Sequence, residues 1–280
     1  MRTIVISAGT SLLTNNRGIL DCSDQVLDYF QENQAAVDKI AVTVENGEPT
    51  VCPDTIPGLY NFTKGFTEKY FKDTEIKRNI KKRDRGEDRL PAEISSLYLY
   101  YYDRNGRLRD EFKKDLAKGS GTDFRKKDRV ILLTTDTADA FYCAQLLREL
   151  INSISLFNTE CLVDQDIAVI KNLDVYEPYK WASSHFRDDD QPLDTDKGLT
   201  NLYKYFKCNF PQNKKTGDRI LLRTGGYKEL SADLKLIAIQ FRFKSYYLFE
   251  RSYSFVQTYA GGWPRGGDLS TIIRRTKGVS

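Results

Sequence analysis

Short runs of β-branched and aliphatic residues recur along the chain, separated by stretches in which apolar residues return every three or four positions. Thr3-Ile4-Val5-Ile6, Val130-Ile131-Leu132-Leu133, Ile167-Ala168-Val169-Ile170, Ile220-Leu221-Leu222 and Tyr246-Tyr247-Leu248-Phe249 read as strands. Their apolar residues are continuous rather than alternating, which suits strands covered on both faces. Between them lie helical stripes. Val26, Leu27, Phe30 and Val37 share a face after the cap candidates Ser23 and Asp24, and Phe141, Ala144, Leu147 and Ile151 form a second stripe. Leu199, Leu202, Tyr203 and Phe206 form a third, and Leu230, Leu234, Ile237 and Phe241 a fourth. Strands alternating with helices predict an α/β fold: a Rossmann-like, mostly parallel sheet with helices on both faces.

Three stretches fit this scheme poorly. Residues 53–89 are polar and aromatic-rich and end in the mixed-charge run 77–89, which reads as a solvated helix end or loop. Residues 171–215 are longer than a minimal domain of this type requires. The tail from about Gln257, with Gly261-Gly262-Trp263-Pro264-Arg265-Gly266-Gly267, reads as a loop and short appendage. The expected division is therefore a Rossmann-like domain over 1–256, with insertions near 53–89 and 171–215, and an appendage over 257–280.

Bulk composition narrows the chemistry. The chain has 280 residues, 40% hydrophobic and 29% charged, so it can bury a core. With 43 Lys and Arg against 39 Asp and Glu the net charge is only +4, too weak for generic binding of long nucleic acid. An anionic ligand would need a local cluster. Cys22, Cys52, Cys143, Cys161 and Cys208 are scattered, and His185 is the single histidine. A zinc site or Ser-His-Asp triad is not expected, nor any metal or cofactor. His185 sits in a loop-like Ser183-Ser184-His185-Phe186-Arg187 and is not expected to be catalytic. The first apolar run is too short for a signal-peptide core and no run reaches membrane-spanning length, so a cytoplasmic location is expected.

In an open parallel sheet, ligands bind beyond the carboxyl ends of the strands. Three such ends carry small and polar residues before a helix: Ser7-Ala8-Gly9-Thr10-Ser11-Leu12-Leu13-Thr14-Asn15, Thr134-Thr135-Asp136-Thr137-Ala138-Asp139 and Arg223-Thr224-Gly225-Gly226-Tyr227-Lys228. Glycine lets backbone approach a ligand, free N–H groups at a helix start favour anions, and hydroxyls add neutral donors. Singly each loop has a plainer use: Gly9 for a tight turn, Gly225-Gly226 for close helix–strand packing. Neither GxxxxGK[ST] nor GxGxxG occurs, which disfavours Walker-type hydrolysis and ordinary dinucleotide binding.

These same residues carry a family resemblance. Ser7–Asn15 resembles the first-strand motif of CARF (CRISPR-associated Rossmann fold) proteins, in which a strand ends in G-T-S-L-L-T-N. Leu90-Pro91-Ala92-Glu93-Ile94-Ser95-Ser96-Leu97 is similar to their P/S-A-E-I-x-S-L helix, and Leu132–Thr137 to their L-L-T-S-D-T segment. Thr224-Gly225-Gly226-Tyr227-Lys228 resembles their T-G-G-F/Y-K, and the motifs come in the family's order.

The resemblance implies a homodimer that binds a cyclic oligoadenylate, most often the tetramer, across its two-fold axis. A ring of four identical nucleotides has internal two-fold symmetry and can meet the same loops from each protomer. Nothing after the last strand run suggests a second effector domain, since no RxxxxH-like pair or acidic nuclease cluster lies beyond it. Family members consisting of the CARF domain alone are ring nucleases, which cleave the messenger without metal. By resemblance, Ser11 would hold the ribose or scissile phosphate, and Lys228 would neutralise charge developing on the phosphorane. Gly9, Thr10, Asn15, Glu93, Thr134, Thr135, Asp136, Thr137, Thr224, Gly225 and Gly226 complete the expected ligand-binding set.

Plainer roles stand beside these. Ser11 and Asp136 suit helix capping, Lys228 a solvated first turn, and Glu93 a bond to neighbouring backbone. Two other functions remain open at this stage. One is a non-cleaving sensor that passes the signal to a partner protein; the other is an unrelated α/β nucleotide-binding module.

Overall fold

The computed structural model describes residues 2–9, 32, 72–82, 90–117, 128–135, 138–154, 167–171, 173, 195–211, 218–223, 228–248 and 255–260. Within them run six strands: β1 (Thr3–Ser7), β2 (Arg129–Thr135), β3 (Ile167–Ile170), β4 (Arg219–Arg223), β5 (Lys244–Leu248) and β6 (Phe255–Ala260). The helices are α1 (Asp73–Lys82), α2 (Ala92–Tyr101), α3 (Asp110–Ala117), α4 (Ala138–Ser153), α5 (Thr195–Asn209) and α6 (Lys228–Phe241). The strands form one sheet in the order β3-β2-β1-β4-β5-β6. All neighbours pair in parallel except β5 and β6, which are antiparallel. The expected Rossmann-like sheet is present.

Two apolar layers explain why the strand runs are continuous. On one face Ile4, Ile6, Val130, Leu132, Ile220 and Leu222 pack with α2 and α4. On the other, Val5, Ile131, Leu133 and Leu221 pack with Leu202 and Phe206 of α5 and Leu234, Ile237 and Phe241 of α6. Alternate residues of each strand serve opposite cores, so apolar residues follow one another along the middle of the strands. Each such side chain contributes about 1.5–3 kcal/mol by leaving water.

Helix α2 differs from the others. Residues 93–101 are all buried, so it shows no amphipathic stripe. Its first turn lies beside Gly9, where β1 ends, and its last residue, Tyr101, reaches Asp128 just before β2. It therefore runs antiparallel to β1. Ten residues of helix span about 15 Å, close to the length of a five-residue strand. Tyr100 extends the core sideways, meeting Phe112 at 5.2 Å and Tyr246 at 5.5 Å between ring centroids, and Tyr246 stacks on Phe255 at 5.3 Å.

The amino edge of the sheet is tied by charge. Arg2 Nε donates to both oxygens of Asp128, at 2.9 and 3.0 Å, and Tyr101 Oη donates to Oδ2 at 2.8 Å. The guanidinium also lies over the Phe112 ring at 4.7 Å. Burial pushes the Asp128 carboxyl up, against the pull of Arg2 and the Tyr101 hydroxyl. On the opposite face Arg219 donates to the carbonyls of Phe210 and Phe241, both at 3.1 Å, and of Pro211 at 3.0 Å. A cation there meets the negative ends of α5 and α6. Helix α6 stops at Arg242, whose φ of 61° is left-handed, and the Phe243 N–H returns to the Ala238 carbonyl at 2.9 Å in a Schellman closure.

Several expectations need adjustment. Strand β5 begins two residues earlier than Tyr246, because Lys244 and Ser245 pair with Ile220 and Leu221. The sheet also runs past residue 257, since β6 pairs with β5 as far as Ala260 opposite Lys244. The charged run from Lys77 does begin as a solvated helix end: Lys77, Arg78 and Lys81 of α1 are exposed, while Ile76 and Ile80 are buried. The helix expected from Val26 to Val37 lies outside the described residues. Among those described, no helix is long and apolar enough to cross a membrane.

The tied amino edge can be tested by stability. Asp128→Ala strands a half-buried guanidinium and the Tyr101 hydroxyl, and should cost about 3 kcal/mol, read as a lower urea midpoint at unchanged slope. Burial also pushes the Tyr246 phenol up to about 12, with Glu111 adding to the rise and Arg109 opposing it. The folded state therefore keeps this proton longer than the unfolded chain, whose tyrosines titrate near 10. Its contribution is whole below pH 10 and lost as the pH rises through about 12. Tyrosinate absorbance should show a fraction titrating there, and Tyr246→Phe should flatten the loss of stability between those values.

Candidate functional site

Strand order reverses at β1, whose neighbours are β2 on one side and β4 on the other. In such sheets the crevice opens beyond the carboxyl ends of the two strands that flank the reversal. Here it is bordered by Ser7-Ala8-Gly9 after β1 and by the end of β4 at Arg223, with the end of β2 at Thr135 alongside. Helix α2 presents its first turn at this edge. Helix α6 starts at Lys228, five residues after β4 ends at Arg223.

One side-chain contact at the edge joins two segments far apart in sequence. Glu93, in the first turn of α2, is fully buried, and its Oε1 accepts the Gly9 N–H at 3.1 Å. The helix begins with Pro91 as N-cap, in an extended conformation that offers no side-chain cap, and the Ser95 N–H closes the first turn on the Pro91 carbonyl at 2.9 Å. An acidic residue in the first turn is favoured by the helix dipole. Glu93 thus anchors the backbone leaving β1, which is the plainer of the two roles that its sequence position allowed. The backbone of β1 is further held by Ala8 N–H donating to the Leu133 carbonyl at 2.8 Å.

Thr134 is the second feature. It is 1% exposed, and among the described residues none hydrogen-bonds to its Oγ1. It alternates with Leu133, which faces α5 and α6, so it lies on the side of the sheet that carries α2 and α4. A buried hydroxyl left unsatisfied costs about 1–3 kcal/mol.

Of the residues singled out from the sequence, Gly9, Glu93, Thr134 and Thr135 lie at the carboxyl edge of β1 and β2, and Gly9 and Glu93 are in contact. Thr134 and Thr135 are strand rather than loop, because they pair with Val169 and Ile170 of β3. Lys228 is the first residue of α6, and its side chain lies outside the description. Thr10, Ser11, Asn15, Asp136, Thr137, Thr224, Gly225 and Gly226 also lie outside the described residues. Arg223, read from sequence as the first loop residue, is instead the buried last residue of β4. A separate groove of about 320 Å³ lies at the sheet margin between β3 and α5, lined in part by Lys171, Lys204 and Tyr205. It stands beyond β2, away from the reversal, and does not join the residues at the β1 edge.

Comparison with known families places this architecture. Residues 114–258, just over half of the chain, match the model of the CRISPR-associated protein family Cas_APE2256. The chain belongs to that CRISPR-associated family. The matched stretch holds β2 to β5 and the start of β6, and so includes Thr134, Arg223 and the beginning of α6. The Gly9–Glu93 contact precedes it. No curated protein matches the chain. Membership is consistent with a role in CRISPR defence.

Thr134→Val offers a direct check on the buried hydroxyl. It keeps the volume and removes an oxygen that no described residue satisfies, so stability in urea should stay level or rise by about 1 kcal/mol. A loss of several kcal/mol would mean that the hydroxyl is already satisfied in the unliganded protein.

Proposed function

We propose that this CRISPR-associated protein binds a cyclic oligoadenylate, most readily the tetramer, across the two-fold axis of a homodimer and cleaves it as a ring nuclease. The observation that carries the reading is the Gly9–Glu93 contact at the reversal of strand order. It joins two of the four segments that resemble CARF motifs, 84 residues apart, at the sheet edge where ligands of such folds bind. The third segment supplies Thr134, and the fourth leads into the helix that starts at Lys228. Membership of a CRISPR-associated family supports the same direction.

In this reading the ribose 2′-oxygen attacks the adjacent phosphorus in line. The 2′-O–P bond forms as the P–O5′ bond breaks, the 2′-hydroxyl gives up its proton, and the departing 5′-oxygen takes one. The product is linear, ends in a 2′,3′-cyclic phosphate, and has consumed no water. Rate comes from alignment of the nucleophile and from compensation of the phosphorane charge. The CARF resemblance assigns alignment to Ser11 and charge compensation to Lys228. Because the nucleophile belongs to the substrate, the step needs no metal-bound water.

The test combines binding and turnover. Cyclic tetraadenylate at ~100 times its Kd should add about 2.7 kcal/mol to stability, seen as a higher melting temperature of a dimer. Cleavage should persist in EDTA. Lys228→Ala should lower the single-turnover rate by ~10²–10³ while changing affinity modestly, and Ser11→Ala should slow cleavage with the fold intact. No melting shift with cyclic tri-, tetra- or hexaadenylate would overturn the reading. Binding without turnover would make the protein a sensor.

A further inference from the structure

Arg223 ends β4 and is 5% exposed, a charged side chain in the core immediately before Thr224-Gly225-Gly226. Neutral groups from three elements hold its guanidinium. Nε donates to Ser245 Oγ of β5 at 2.9 Å. One terminal nitrogen donates to the Ser231 carbonyl and hydroxyl of α6, at 2.7 and 3.2 Å. The other donates to Thr258 Oγ1 of β6 at 2.7 Å. The Tyr247 ring lies 5.2 Å away on the same strand as Ser245. Among the described ion pairs none involves Arg223. Burying a guanidinium without a counter-charge brings little net stability. What the rigid fork does bring is fixed geometry between the groups that it bridges.

The sheet is shaped to meet that fork. Ser245 pairs with Tyr259 and Tyr246 with Gln257, so Thr258 is the extra residue of a β-bulge. A bulge re-aims a side chain. Here the Thr258 hydroxyl donates to the Ser245 carbonyl at 3.1 Å and accepts from Arg223. The far end of the brace is Ser231, in the first turn of the helix that starts at Lys228.

We propose that Arg223, seated by the Thr258 bulge, is a positioning residue that fixes the first turn of α6, and with it the helix start at Lys228, against the carboxyl edge of the sheet. The brace belongs to the unliganded chain; its consequence for cleavage rests on the ring-nuclease reading.

Thr258→Val removes the acceptor at nearly constant volume, Thr258→Ser keeps it, and Arg223→Lys keeps the charge without the fork. Hydrogen exchange reads the brace at amides 232–235, whose helical acceptors are the carbonyls of 228–231. Exchange there should quicken on the order of tenfold in Thr258→Val and Arg223→Lys, stay at the wild-type rate in Thr258→Ser, and leave β1 to β3 unchanged. Single-turnover cleavage of saturating cyclic tetraadenylate should fall ~10²-fold in the same two variants, with affinity nearly unchanged and Thr258→Ser restoring the rate. Unchanged exchange at 232–235, or equal acceleration across the whole sheet, would overturn the brace. Quicker exchange with wild-type cleavage would overturn its role in positioning. If the wild type neither binds nor cleaves the ring, the ring-nuclease reading fails, and the exchange pattern still decides whether Arg223 braces α6.

Discussion

Strand β1 has to satisfy its backbone sideways and its side chains in both perpendicular directions, and every other element is arranged around that requirement. Its N–H and carbonyl groups are taken by β2 and β4 in parallel register. Ile4 and Ile6 need one apolar layer and Val5 another, so both faces of the sheet must be covered. Parallel pairing also sets the polarity of the connections. Each returns to the amino edge before the next strand begins, and helices start where strands end. Helix N-termini therefore collect at the carboxyl edge.

The two edges are built differently as a result. At the amino edge the polar groups are closed off: Arg2 and Asp128 satisfy each other with Tyr101, and Arg219 takes carbonyls where α5 and α6 end. At the carboxyl edge the described groups are less fully used. Thr134 keeps a buried hydroxyl to which no described residue hydrogen-bonds, and among the described residues the charge of Arg223 is met only by neutral oxygens. Two arginines on one five-residue strand thus do separate jobs. Arg219 completes helices, whereas Arg223 links the start of a helix to the far margin of the sheet.

The same physics governs how much of the fold is legible in the sequence. Five strands are legible because burial on two faces writes an unbroken apolar run. Strand β6 is not, since Phe255-Val256-Gln257-Thr258-Tyr259-Ala260 is an edge strand with polar residues and stands before a glycine-rich segment. Helices α4, α5 and α6 announce themselves by stripes. Helix α2 is buried all round, so periodicity does not reveal it, and only the family resemblance points to it. Thr134 and Thr135 are recognisable as site residues but read as loop, because pairing with β3 is a long-range contact. Arg223 escapes notice for the reason that makes it informative. A charged residue at a strand end reads as exposed, and the oxygens that bury it come from residues 8 to 35 positions away.

Glu93 bears on which ligands suit this edge. On the proposed reading the ligand is a polyanion, and the fully buried Glu93 side chain has its Oε1 engaged by the Gly9 N–H. That contact holds the backbone leaving β1 at Gly9, and the α2 dipole favours an acidic residue at that place. The same edge offers a neutral hydroxyl at Thr134 and the start of α6 on the other side of β1. On the proposed reading, the neutral hydrogen-bonding groups of the nucleotide ring would lie toward β2 and α2 and its phosphates toward the start of α6, a division that matches the two sides of this edge.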